Sequence, residues 1–169
     1  MIWRQDSTWE SDYAAYFAAR AAALRRLAYG LCGDWHLAED LAQATFLQLY
    51  RHWRRLEPGT IDAYARRAVV NAFLSNRRSR RRERLVAEPP EVRVTGDEAH
   101  VATALRVRAA LDALPPRQRA LVVLRHLEDV SVAEAAELLG VSQGTVKSQT
   151  ARGLDKLRAA LAEPALRGE

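Results

Sequence analysis

The segment Ser131-Val132-Ala133-Glu134-Ala135-Ala136-Glu137-Leu138-Leu139-Gly140-Val141-Ser142-Gln143-Gly144-Thr145-Val146-Lys147-Ser148 carries two helix signals back to back. Ser131 and Glu134 have the Ser-x-x-Glu form of a capping box, in which hydroxyl and carboxylate satisfy the free amides of a helix start. This predicts a short helix over Val132–Leu139. Gly140 can take the positive φ of a tight turn, Val141 is apolar, and Ser142 can cap the helix that follows. Ala136, Gly140 and Val146 stand at offsets of four and six. A small residue, a turn glycine and a branched residue at those positions are what a helix-turn-helix requires.

The helix after the turn divides cleanly into faces. Val146, Thr150, Leu154, Leu157 and Leu161 recur at helical spacing and predict its inner side. Gln143, Thr145, Lys147, Ser148, Gln149, Arg152 and Lys156 fall on the outer side, as donors and acceptors that can reach base edges and phosphates in a major groove. Gly153 interrupts this helix at a propensity cost of about 1 kcal/mol relative to alanine. Upstream, Ala104, Val107, Leu111 and Leu114 predict a further helix, which Pro115-Pro116 ends while opening the next, Pro116 to Leu127. Arg119, near the start of that helix, is a candidate phosphate contact.

The remainder of the chain is also helical in pattern. Only eight Gly and six Pro interrupt 169 residues, and apolar residues recur at intervals of three and four rather than alternating. The reading is all-α, in two small helical domains joined by a flexible acidic linker: 8–82, a linker over 83–98, and 99–163. A first helix is predicted from Ser11 to Leu31, ending at Gly33, and a second from Trp35 to Arg54 with Ala42, Phe46, Leu49 and Trp53 as its core seam. Asp40, Gln43, Leu47 and Tyr50 lie opposite that seam. This is either an exposed protein-docking stripe or a face covered by the first helix. Pro58-Gly59-Thr60 breaks the chain before a third helix starting near Ile61. The linker contains Glu88, Pro89, Pro90, Glu91, Gly96, Asp97 and Glu98, and by composition alone it reads as a solvated spacer.

Tyr64, Arg67, Asn71 and Arg78 share one face of the third helix. An aromatic, an amide and guanidinium groups together can stack and hydrogen-bond an unpaired base. The other reading is that Tyr64 packs in the core and the arginines complement a helix C-terminus. Arg77 and Arg78 open a run of six arginines in the eight positions Arg77–Arg84, dense enough to neutralise phosphates.

Net charge is +5, and Lys147 and Lys156 are the only lysines among 26 basic side chains. Arginine favours bidentate phosphate or carboxylate contacts, although a GC-rich genome produces the same bias. The single cysteine, Cys32, excludes an internal disulfide and completes no zinc or redox motif. With no apolar window near the length of about 18 residues that a membrane span needs, the sequence predicts a cytoplasmic protein without membrane insertion. His36, His52, His100 and His126 show no metal-ligand spacing, no phosphate-binding glycine loop is present, and no acidic pair suggests a nuclease. The expectation is a non-enzyme that uses no cofactor and no metal.

Taken together, the motifs resemble the extracytoplasmic-function (ECF) sigma factors of the sigma-70 family, in particular the sigma-E-like actinobacterial branch. Ala38-Glu39-Asp40-Leu41-Ala42-Gln43-Ala44-Thr45-Phe46 is similar to the helix by which sigma region two grips the polymerase clamp, with Asp40 and Gln43 as its polar pair. Ala63-Tyr64-Ala65-Arg66-Arg67-Ala68-Val69-Val70-Asn71 is similar to the element that melts and reads the minus-ten strand. Leu111-Asp112-Ala113-Leu114-Pro115-Pro116-Arg117-Gln118-Arg119 and Gly144-Thr145-Val146-Lys147-Ser148 are similar to region four, which reads the minus-thirty-five duplex. Gln149 departs from the arginine that many relatives carry.

The resemblance implies that the chain binds core RNA polymerase, at the beta-prime clamp helices and the beta subunit, together with promoter DNA. It allows an anti-sigma factor as a further partner, and it routes the acidic linker through polymerase channels that otherwise hold nucleic acid. The competing expectation from the residues alone is a stand-alone helix-turn-helix regulator, which would need only the second domain and a dimer interface.

Overall fold

The computed structural model describes residues 7–83 and 98–162, with side chains described at 8–76 and 98–162. Almost all of the predicted linker therefore lies outside the described residues. The chain divides into two units, Met1–Asn76 and Arg77–Glu169. Among the described residues all regular structure is helical: α1 (Ser7–Cys32), α2 (Trp35–His52), α3 (Ile61–Glu83), α4 (Glu98–Asp112), α5 (Pro116–His126), α6 (Val132–Leu139) and α7 (Gln143–Ala162). Short 3-10 turns at Trp53–Arg55 and Pro58–Thr60 join α2 to α3.

In the first unit, α1 stops at Gly33, whose φ of 72° suits a left-handed cap. Asp34 then caps α2, its Oδ1 accepting from the backbone N–H of His36 at 2.8 Å and of Leu37 at 3.2 Å. The predicted seam Ala42, Phe46, Leu49 and Trp53 is buried throughout, together with Leu27, Leu31, Val69, Val70 and Phe73. Aromatic rings extend this core along α1. Tyr13 meets Trp53 edge-on at 5.3 Å, Tyr16 lies 5.4 Å from Trp53, and Phe17 meets Phe46 at 4.5 Å. Asp62 ties α3 to α1, accepting from the Tyr16 hydroxyl at 2.9 Å and from Arg20 at 2.7 Å. Burial, with that carboxylate alongside, pushes the Tyr16 hydroxyl well above the usual phenol range. Every Trp, Tyr and Phe of the chain lies at or before Phe73.

The second unit has an aliphatic core in which Leu111, Leu114 and Val122 meet Leu154 and Leu157 of α7. The run Leu121–Leu124 is buried on every side, with Val130, Leu138 and Val146. Helix α6 spans the predicted residues, and the Ser131 hydroxyl accepts from the Glu134 N–H at 3.1 Å. Gly140 ends α6 with φ 62°, and Val141 N–H reaches back to the Ala136 carbonyl at 3.0 Å, a Schellman-type stop. The predicted stripe of α4 is corrected in its first half. Ala104 is exposed and Val107 is 37% exposed, and only Leu111 and Leu114 enter the core.

Gly153 proves to be a packing residue rather than a helix defect. A Cβ there would stand 2.7 Å from Val122 Cγ2 and 3.8 Å from the Gln118 carbonyl oxygen, so the missing side chain lets α5 and α7 approach closely. Val122 is buried and β-branched and cannot swing aside freely. Gly153→Ala is therefore expected to lose stability: overpacking costs about 1–3 kcal/mol, more than the roughly 1 kcal/mol of helix propensity recovered. Thermal unfolding followed by far-UV circular dichroism checks this, and a raised midpoint would refute it.

Candidate functional site

The exposed N-terminal half of α7 is built by the turn before it. The Ser142 hydroxyl accepts from the Thr145 N–H at 3.1 Å and lies 2.9 Å from the Thr145 hydroxyl, so Thr145 is engaged in the cap and half-buried. Gln143, Lys147, Ser148 and Arg152 are exposed on the side away from the core. Gln149 and Lys156 point instead toward α5. Gln149 Oε1 accepts from Gln118 Nε2 at 2.7 Å, and Lys156 Nζ donates to Gln118 Oε1 at 3.3 Å.

Arg119 requires a correction. The sequence reading placed it at the surface as a phosphate contact, but its side chain is 0% exposed. It lies 3.2 Å from an Asp112 carboxylate oxygen and donates to the main-chain carbonyls of Asp112 at 2.7 Å and Leu114 at 3.4 Å. These carbonyls belong to the end of α4 and the turn after it, where a helix leaves acceptors without partners. The arginine near the start of α5 that does reach solvent is Arg117. It lines a groove of about 260 Å³ with Leu121, Leu139, Val141, Thr145 and Gln149. Sequence reasoning missed Arg117 and Gln118. The available signal was Gln118 and Arg119 immediately before the apolar run Ala120–Leu124 of α5.

In the first unit, the α2 stripe is exposed: Asp40 and Gln43 are open to solvent, Leu47 is 51% exposed and Tyr50 43%. Of the two readings of this face, covering by α1 does not hold. Helix α1 reaches it at Tyr50, whose ring packs 5.3 Å from Trp9 and 5.2 Å from Tyr13. A large aliphatic and a braced tyrosine beside two polar groups make a surface suited to a protein partner. On α3, Arg67 and Asn71 are exposed, while Tyr64 is half-buried with its ring 6.0 Å from that of His52. The side chains of Arg77 and Arg78 lie outside the described residues.

These surfaces define a two-unit helical protein of the helix-turn-helix DNA-binding class. Residues 17–83 match the family model for sigma-70 region 2, and residues 104–157 match that for sigma-70 region 4. The chain is 40% identical over 146 residues to the ECF RNA polymerase sigma factor SigE of Mycolicibacterium smegmatis, covering 82% of this chain and 57% of that protein. It is 37% identical over 150 residues to the RNA polymerase sigma-E factor of Streptomyces coelicolor, covering 87% of this chain and 84% of that one. Among solved structures, the sigma factor RpoE of Bartonella quintana, in complex with the anti-sigma factor NepR, superposes with a TM-score of 0.76 at 26% identity, over 92% of this chain and 99% of that one. The chain belongs to the ECF RNA polymerase sigma factors of the sigma-70 family, and its relatives include sigma-E-type proteins of actinobacteria.

Proposed function

We propose that the chain binds core RNA polymerase and directs promoter-specific initiation by recognising minus-ten and minus-thirty-five elements. The observation that carries this reading is the presence, in one chain and in order, of the two sigma-70 regions, with Asp40, Gln43, Lys147 and Arg152 among the residues open to solvent. Asp40, Gln43, Leu47 and Tyr50 meet the beta-prime clamp helices. Tyr64, Arg67 and Asn71, with Arg77 and Arg78, engage the separated minus-ten strand, and a half-buried Tyr64 keeps enough ring surface for stacking. Gln143, Lys147, Ser148 and Arg152 face the minus-thirty-five major groove, flanked by Thr145, Gln149 and Lys156. Arg117 supplies the phosphate contact first assigned to Arg119, beside a helix N-terminus whose dipole favours the same anion.

In this role the protein positions nucleic acid and polymerase and performs no covalent chemistry. Among the described residues no helix is long and apolar enough to cross a membrane. In this reading the protein acts in the cytoplasm on polymerase. An anti-sigma factor is a further partner in this reading, as the solved structure of the Bartonella relative holds one.

Mixing the chain with bacterial core polymerase at moderate salt and following co-elution by size-exclusion chromatography tests the proposal. Asp40→Ala with Gln43→Ala is expected to weaken association about tenfold or more, roughly 1.4 kcal/mol, with helix content unchanged. Unchanged association would remove the clamp assignment. A chain that stays free of polymerase and binds duplex DNA as a dimer would be a stand-alone regulator.

A further inference from the structure

Lys156, Gln118 and Gln149 form a chain of hydrogen bonds with a defined direction. An ammonium can only donate, so the Gln118 atom facing Lys156 Nζ at 3.3 Å is its carbonyl oxygen. The other end of the Gln118 amide is then its NH2 group, which donates to Gln149 Oε1 at 2.7 Å. That bond occupies the acceptor end of the Gln149 amide. Its Nε2 makes no hydrogen bond among the described residues and is left as a donor at the edge of the groove that Arg117 and Thr145 also line. Gln118 is 9% exposed, so its amide is held by neighbours rather than by water. Gly153 lies between Gln149 and Lys156 on α7, and its missing side chain lets Val122 of α5 pack close to α7 there.

We propose that Lys156 and Gln118 set the direction of the Gln149 amide, so that Gln149 reads its base pair as a donor only. The proposal rests on α7 docking in a major groove. A freely turning glutamine offers donor and acceptor together and pairs bidentately with adenine N6 and N7. A glutamine whose oxygen is held by Gln118 keeps a second lone pair, but that oxygen is turned toward α5 and not toward an adenine N6 in the groove. Such a glutamine favours guanine, whose N7 and O6 both accept, over adenine, which keeps the N7 acceptor but sets its N6 donor against the glutamine's own donor. Gln118 and Lys156 are thus positioning residues for specificity without touching DNA.

Selection of duplexes from a randomised library by the full chain, followed by sequencing, reads this out. The wild type is expected to prefer guanine over adenine at one position by at least about fivefold, and Gln149→Ala to lose that preference at the same position. Gln118→Glu leaves only acceptors facing both Lys156 and Gln149, which turns the Gln149 amide so that its oxygen faces the groove. The preference at that position should then move to adenine or cytosine, whose N6 and N4 donate. Lys156→Met frees Gln118 to rotate and should flatten the guanine-over-adenine ratio toward one, giving a second readout should the glutamate variant melt early. A merely structural role changes affinity at every position alike and leaves the preferred base in place. The same base selected by wild type, Gln118→Glu and Lys156→Met overturns the relay while α7 remains a DNA reader. A wild-type chain that selects no duplex overturns the reading of α7 and the relay together.

Discussion

Arg119→Ala is expected to destabilise the second unit by about 3–5 kcal/mol, from buried carbonyls left without their donor together with the cavity left by a large buried side chain. The ion pair itself is a minor part, since the Asp112 side chain is 49% exposed and Arg108 also holds its carboxylate at 2.6 Å. Most of the loss comes from elsewhere. A fully buried guanidinium donates to two carbonyls at the α4–α5 corner, and alanine leaves those acceptors short and a large side chain's volume empty. Urea unfolding followed by far-UV circular dichroism measures the effect. Asp112→Asn, which keeps the carbonyl contacts, should cost far less. An unchanged unfolding midpoint together with weaker, less salt-dependent DNA binding would return Arg119 to the surface role first read from the sequence.

Lys147→Ala combined with Arg152→Ala should lower affinity for a promoter duplex on the order of 100-fold at moderate salt. Both side chains are exposed on the outer side of α7, where each can neutralise a phosphate or reach a base edge at about 1–3 kcal/mol. If both meet phosphates, the slope of log affinity against log salt should flatten by nearly 2, about 0.9 for each contact. Association with core polymerase should not change, because the α2 stripe belongs to the other unit. Fluorescence anisotropy over a salt series separates the terms. A loss of polymerase binding as large as the loss of DNA binding would show that the two units do not divide the work.

What the sequence made legible was local. Helix α6 came out with its own ends, because Ser131 supplies a cap hydroxyl and Gly140 a left-handed stop, and both act within one turn of the chain. The seam of α2 was equally plain, since Ala42, Phe46, Leu49 and Trp53 recur at spacings of four, three and four and all four are buried. Periodicity failed in α4, where Ala104 and Val107 have the right spacing but stay largely exposed. Spacing shows which residues could share a face, and only the tertiary structure shows how much of that face is covered. Arg119 and Gly153 failed for the same reason. Arginine is seldom fully buried and glycine is a poor helix former, so each was assigned its average behaviour. Both are set by a neighbouring helix: α4 supplies the carbonyl that Arg119 needs, and Val122 of α5 occupies the space beside Gly153. The α2 stripe was legible as a pattern, but its exposure was settled only by where α1 packs.

The confinement of every aromatic ring to the first unit gives the molecule a built-in optical label. Tryptophan emission, which includes that of Trp53 among Tyr13 and Tyr16 and of Trp35 stacked on Tyr29 at 4.0 Å, originates wholly in the first unit, the one that carries the α2 stripe. The helix-turn-helix half contributes to far-ultraviolet ellipticity but contains no tryptophan or tyrosine to emit. Melting the native chain while recording both signals therefore resolves the two halves without a dye, a tag or a cut: a transition seen in ellipticity but not in emission belongs to the DNA-reading half.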